Sequence, residues 1–196
     1  AVGDRDMVVL EHARAQRDLV AHHRHHRHRF GAAGEHQIGV AETDLVRGQR
    51  DGLQARFDAA PAQFGRARMV AYDPAAPRFG PANSADVVLT FRNVHNWRNS
   101  GQAEAMFKGF YDVLRPGGVL GVVEHRARGD VPDGDRSGYV GQSQVIALAQ
   151  AAGFRVDGSS AINANPRDTR DHPNGVWTLP PTNRHEPQDA ARYAEI

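Results

Sequence analysis

The sequence predicts an α/β protein of the doubly wound type, with a mostly parallel but incomplete sheet and an irregular N-terminal third. Three observations predict it. Two short apolar runs, Val87–Phe91 and Val119–Val123, each break off into polar residues, Arg92–Trp97 after the first and Glu124–Arg126 after the second. A stretch with helical periodicity lies between them and ends in Leu114-Arg115-Pro116-Gly117-Gly118. A second helix–strand pair follows between Ser143 and Val156. Strand, helix and strand in that order form a β-α-β unit, whose crossover is right-handed. In open α/β sheets, ligands bind in the crevice outside the carboxyl ends of the strands. Both polar bursts sit at such ends.

Composition sets the outer bounds. A chain of 196 residues suits one domain with a real core. Hydrophobic residues make up 40% and charged residues 24%, and no apolar run is long enough for a membrane-spanning helix. No membrane partner is expected. Met7-Val8-Val9-Leu10 is shorter than the apolar core of about 7–15 residues that a secretory signal needs, and Glu11-His12 cuts it off. A cytoplasmic location is therefore expected, with the periplasm left open. The absence of cysteine excludes disulfides, thiolate metal sites and cysteine nucleophiles. A formal net charge of +1 gives no global case for nucleic-acid binding.

Residues 1–52 differ in texture from the rest. Seven of the eleven histidines fall between His12 and His36, five of them in the run Ala21-His22-His23-Arg24-His25-His26-Arg27-His28-Arg29. Helical stretches are conceivable around Ala13–Val20 and Ala41–Arg56, without a broad apolar face, and Met7–Glu11 passes for a short strand. The segment is expected to be loosely helical or disordered. Its His/Arg run admits metal or nucleic-acid binding, although nothing flanking it supplies the second partners that fix a metal site. Alanine, arginine, glycine, histidine and glutamine in near-random order is also what a GC-rich gene yields in a shifted reading frame.

From residue 53 to 196 an α/β domain is legible. Leu53–Phe57 reads as a helix end, with Pro61 and Gly65 as punctuation, and Arg68–Tyr72 as a short strand ending at Asp73-Pro74. After a Pro/Gly/Asn/Ser-rich loop comes the strand Val87–Phe91. Ser100 is the expected cap of the crossover helix, whose Ala103, Met106, Phe107, Phe110, Val113 and Leu114 recur at spacings of three and four. Pro116 ends that helix and Gly117-Gly118 turns into the strand Val119–Val123. Both strands are almost wholly apolar, as for parallel strands covered on both faces. Ser143 is the expected cap of a helix bearing Val145, Ile146, Leu148 and Ala149, with Gly153 as its left-handed terminus and Phe154-Arg155-Val156 as a strand. A polar loop, Ile162–Asp171, precedes Val176–Pro181, and the tail includes a weak helix.

These residues resemble the class I S-adenosylmethionine-dependent methyltransferases, whose sheet is Rossmann-like. Asp86–Phe91, a helix and Leu114–Leu120 are similar to the fourth strand, following helix and fifth strand of that fold. Phe91–Trp97, Val122–Arg126, Ile162–Pro166 and Trp177–Pro181 resemble segments of a bacterial group of predicted methyltransferases. The resemblance implies methyl transfer from S-adenosylmethionine to a small-molecule acceptor. It places Asp73 near the adenine edge, where a carboxylate accepts from the exocyclic amine, and Phe91 and Arg92 beside the methionine part. Asn93, His95, Glu124 and His125 are then the catalytic candidates on the acceptor side, with the last three able to take a proton. No metal is implied. The glycine-rich loop expected after the first strand is not found; Gly31-Ala32-Ala33-Gly34 has no apolar strand before it.

Other readings of the same residues stay open. His95 and Asn96 serve equally to cap a helix, and Glu124-His125 to form a surface pair. Asn163, Asn165, Arg167, Asp168, Arg170 and Asp171 serve to hold a long loop together, and Trp97 and Trp177 to pack. Taken as a whole, the chain reads as a methyltransferase, as a non-catalytic remnant or binding module, or as a metal- or nucleic-acid-binding protein acting through the His/Arg run.

Overall fold

The computed structural model describes residues 6–11, 36–41, 44–194 and 196. They fall into two compact units. One holds residues 6–11 and everything from Pro81 onward, and the other holds residues 36–41 and 44–80.

The larger unit is a four-stranded parallel sheet in the order β4-β5-β1-β6, formed by β1 (Asp6–Glu11), β4 (Ala85–Phe91), β5 (Leu114–Glu124) and β6 (Arg155–Ser160). With its helices, the sheet makes an open α/β fold. β1 lies between β5 and β6, from Asp6 opposite Val119 to Glu11 opposite Glu124. In the 3-2-1-4-5-6 order of many doubly wound sheets the first strand neighbours the fourth; here it neighbours the fifth and sixth. The smaller unit pairs β2 (His36–Ala41) with β3 (Ala67–Tyr72), also in parallel, and carries α1 (Asp44–Ala59) and α2 (Pro61–Phe64). Phe57 of α1 is buried against Phe64, their rings 5.3 Å apart.

Two strands thus fall within the stretch read as irregular, while α1 matches the helical reading around residues 41–56. The stretch Ala13–Val20, the His/Arg run Ala21–Arg29 and the pair Gly31 and Gly34 lie outside the described residues. Among the described residues, no helix is long and apolar enough to cross a membrane.

The crossover between β4 and β5 holds two helices where the sequence suggested one. α3 spans Val94–Asn99 and α4 spans Ala103–Val113. Ser100 closes α3 and does not open α4: its hydroxyl donates to the Asn96 carbonyl at 3.0 Å, and Gln102 occupies the N-cap of α4. The apolar stripe behaves as its spacing predicts. Ala103, Met106, Phe107, Phe110 and Val113 are all buried, each large side chain contributing about 1.5–3 kcal/mol by leaving water. Leu114 then turns extended, and β5 begins at once. Ala85 faces Leu114 while Val87 faces Val119, so Arg115–Gly118 bulge out of the ladder at the place where a tight turn was expected. Gly117 takes a φ of +77°, which a residue lacking Cβ adopts freely.

α5 (Gln142–Ala152) packs on α4 and against β6, so both helices cover the same side of the sheet. Its N-cap is Gly141; Ser143 lies one residue inside the helix and donates to the Asp130 carboxylate. Gly153 terminates it at φ +108°, the left-handed end that was predicted, and the Phe154 N–H closes on the Ala149 carbonyl at 3.0 Å. The far side of β4 is different. Leu89 is 51% and Phe91 41% exposed, so this strand is covered on one face only. It is the outermost strand of its sheet, which the apolar composition alone does not reveal. A short turn at Pro187–Asp189 and α6 (Ala190–Tyr193) supply the weak helix of the tail, anchored by the buried Tyr193.

Candidate active site at the strand ends

At the end of β4 the chain changes direction within two residues. Arg92 adopts a left-handed φ of +57°, a conformation that costs a non-glycine residue about 1–2 kcal/mol. Its N–H still reaches the Val123 carbonyl at 2.8 Å, so the β4–β5 ladder persists to the point of the turn. The Asn93 carbonyl then accepts the Trp97 N–H at 3.1 Å and α3 begins. This turn drops Val94 and His95 into the interior and leaves Arg92 and Asn93 exposed.

His95 lands on Glu124, the last residue of β5. The His95 backbone N–H donates to Glu124 Oε2 at 3.2 Å, and His95 Nδ1 lies 3.1 and 3.2 Å from Oε1 and Oε2. The His125 N–H donates to Oε1 at 2.9 Å. Both side chains of the pair are only 4% exposed. A carboxylate facing Nδ1 is satisfied by a proton on that nitrogen. The ring's Nε2 is buried and has no hydrogen-bond partner among the described residues. Leaving such a group unsatisfied costs about 1–3 kcal/mol. Trp177 packs edge-on against the His95 ring, their centroids 5.5 Å apart.

A second polar cluster adjoins the first. The chain leaves β5 through His125, makes an excursion, and returns so that the Val140 N–H donates to the His125 carbonyl at 2.8 Å and the Ala127 N–H to the Val140 carbonyl at 2.9 Å. The return brings the Tyr139 ring to 6.3 Å from the His125 ring. The Tyr139 hydroxyl donates to Asp168 Oδ1 at 2.7 Å, which also accepts the Arg170 N–H at 2.9 Å and lies 3.0 Å from His172 Nε2. Burial first, and the Asp168 carboxylate second, push the Tyr139 hydroxyl far above the usual tyrosine range. Sequence reading named Asp168 but missed Tyr139 and His172, which lie in irregular segments with no periodicity to mark them.

No protein-family model, curated protein or solved structure matches the chain.

Of the catalytic candidates, the fold joins His95, Glu124 and His125 and leaves Asn93 on the exposed turn. Phe91 and Arg92 stand exposed at the same strand end. Asp73 belongs to the other unit, just after β3. It is exposed, and its Oδ1 accepts the Ala75 N–H at 2.9 Å, a local turn that leaves Oδ2 outside the bond. The structural readings hold in part. Trp97 packs on Phe110 at 5.5 Å, Asn165 accepts the Arg167 N–H at 3.0 Å, and Arg128 pairs with Asp171 across the loops. Among the described residues, no group of three or more His, Asp or Glu side chains is arranged to hold a metal ion.

Proposed function

We propose that the protein transfers a methyl group from S-adenosylmethionine to a small-molecule acceptor, with the β4–α3–α4–β5 unit as the acceptor half of a doubly wound sheet. The observation that carries this reading is the buried His95–Glu124 pair at the adjoining carboxyl ends of β4 and β5. Ligands of open α/β sheets lie at such ends, and a carboxylate-oriented imidazole is suited to proton removal. When bound, the donor supplies a methyl group on a positively charged sulfur, so the protein contributes chiefly alignment of the acceptor. Phe91 and Arg92, at the end of β4, are the residues of this unit that would hold it, and Asn93 and His125 flank the acceptor beside the pair.

Calorimetric titration of the full chain with S-adenosylmethionine tests the reading. Saturable heat is expected, weakened in Phe91→Ser; silence up to millimolar cofactor sinks it. A second reading, a binding module without turnover, is favoured by the missing glycine-rich loop. It predicts no saturable heat with S-adenosylmethionine and no transfer of labelled methyl to any acceptor.

A further inference from the structure

We propose that β4 is a self-association edge whose occupant is the β4 strand of a second copy of this chain, paired antiparallel about Leu89. The proposal goes beyond the methyl-transfer reading and does not rest on it. Among the described residues no strand lies beyond β4, the outermost of its sheet. The Arg92 N–H points at the Val123 carbonyl of β5. Successive residues of a strand aim their backbone groups to opposite sides, so Val88 and Thr90 also face β5, while Val87, Leu89 and Phe91 aim theirs at the open edge. The side chains of these three lie on the uncovered face, with Leu89 51% and Phe91 41% exposed. Natural edge strands are ordinarily blunted by charge, proline or a bulge, and the stretch from Val87 to Phe91 carries none of them. The other outer strand, β6, is blunted: Arg155 and Asp157 put charge on it and Gly158 weakens it.

Charge decides the direction of pairing. Asp86 and Arg92 flank the apolar stretch, one at each end, and both are exposed. Two parallel copies in register set Asp86 against Asp86 and Arg92 against Arg92, which repels. An antiparallel pair centred on Leu89 sets Asp86 of each copy opposite Arg92 of the other. It also sets Val87 opposite Phe91, and Leu89 opposite its own counterpart. The backbone groups of all three outward residues are then met, and apolar side chains face apolar ones on the uncovered side. Asp86 reaches Arg115 of its own chain through Oδ1, an exposed contact worth little. The two-fold axis closes the pair, joining the two parallel sheets into one continuous sheet. The strand end at Phe91 and Arg92 of each copy is thereby bordered by the other. A strand pair of this length is a small interface, so the association belongs to the weak, transient class.

The test is sedimentation velocity on the full chain at low salt, from micromolar to near-millimolar concentration. The wild type is expected to pass from monomer to dimer over that range. Asp86→Arg and Arg92→Asp each set like charges opposite one another, and each is expected to dimerise about tenfold more weakly. Mixed in equal amounts, the two variants restore both opposite-charge pairs, and a mixed dimer of about wild-type strength is expected. Circular dichroism and the thermal midpoint establish that the variants are folded. Amide hydrogen exchange of the wild type supplies a readout that needs no variant: raising the concentration is expected to slow the Val87, Leu89 and Phe91 amides and to leave those of Val88 and Thr90 unchanged. Four results overturn the proposal: a wild type that stays monomeric at near-millimolar concentration, a mixture no tighter than its two components, association without added protection at Val87, Leu89 and Phe91, or growth to species larger than a dimer.

Discussion

Two carboxylate–imidazole pairs among the described residues are built from the same chemistry and arranged in opposite ways. Glu124 spreads its bonds over both oxygens and grips His95 through Nδ1, leaving Nε2 buried and bare. Asp168 gathers Tyr139, Arg170 and His172 on a single oxygen and takes His172 through Nε2. The first pair is 4% exposed on both sides, whereas Asp168 is 19% exposed. A clasp uses every donor it has, and a reactive group keeps one atom back. On that distinction, Asp168–His172 ties the Ile162–Asp171 loop to the Tyr139 segment, and His95–Glu124 leaves one ring nitrogen unpaired.

Substitution tests this contrast, beginning with the largest effect. Glu124→Leu strips a buried imidazole and two backbone N–H groups of their acceptor, and about 3 kcal/mol of stability is expected to be lost in urea unfolding. The double variant His95→Leu/Glu124→Leu is expected to recover only the share owed to the imidazole, because the His95 and His125 backbone N–H groups still lack their acceptor. A double variant as unstable as the single one would place the pair with the clasps. Asp168→Ala is expected to cost about 2 kcal/mol, through loss of an acceptor serving three donors, while leaving the His95 nitrogen resonances unmoved.

Tyr139→Phe comes next, at about 1 kcal/mol, and it also carries a pH signature. The folded hydroxyl is pushed far above its ordinary value near 10, by burial first and the Asp168 hydrogen bond second. Its contribution is therefore complete below pH 10 and is lost as pH rises beyond it, where the unfolded chain ionises and the folded one does not. Unfolding midpoints recorded from pH 8 to 11 are expected to fall more steeply in the wild type than in Tyr139→Phe. Smallest of all is Arg128→Ala. Its exposed pair with Asp171 is screened by water, and no change in thermal midpoint is expected at moderate salt.

What the sequence discloses and what it hides follow the range of the interactions involved. The strands ending at Phe91 and Glu124, the stripe from Ala103 to Val113 and the Gly153 terminus are written in local periodicity and local chain geometry, and the fold keeps them. The meeting of His95 and Glu124 is a contact 29 residues apart, and it depends on α3, a helix of six residues too short to mark itself by periodicity. Tyr139 and His172 reach the site only through the return of the chain beside His125. Ser100 and Ser143 both look like caps; Gln102 and Gly141 take those places because the chain enters each helix a residue or two away from the serine. The outward-facing Leu89 and Phe91 show the same limit, since an apolar strand carries no local sign of lying at the edge of its sheet.

The closed neck formed by His125, Ala127 and Val140 has an engineering consequence. The excursion between its two ends leaves and returns at one point, and it is tied down on both sides of Gly134, by Arg98 donating to the Val131 carbonyl and by Trp177 Nε1 donating to the Arg136 carbonyl. At Gly134 nothing lies within 4 Å of the place a side chain would occupy. Doubling the length of such a loop costs only about 0.6 kcal/mol of closure entropy. The exposed turn at Pro132–Gly134 is therefore the place in the excursion where inserted sequence is expected to disturb least.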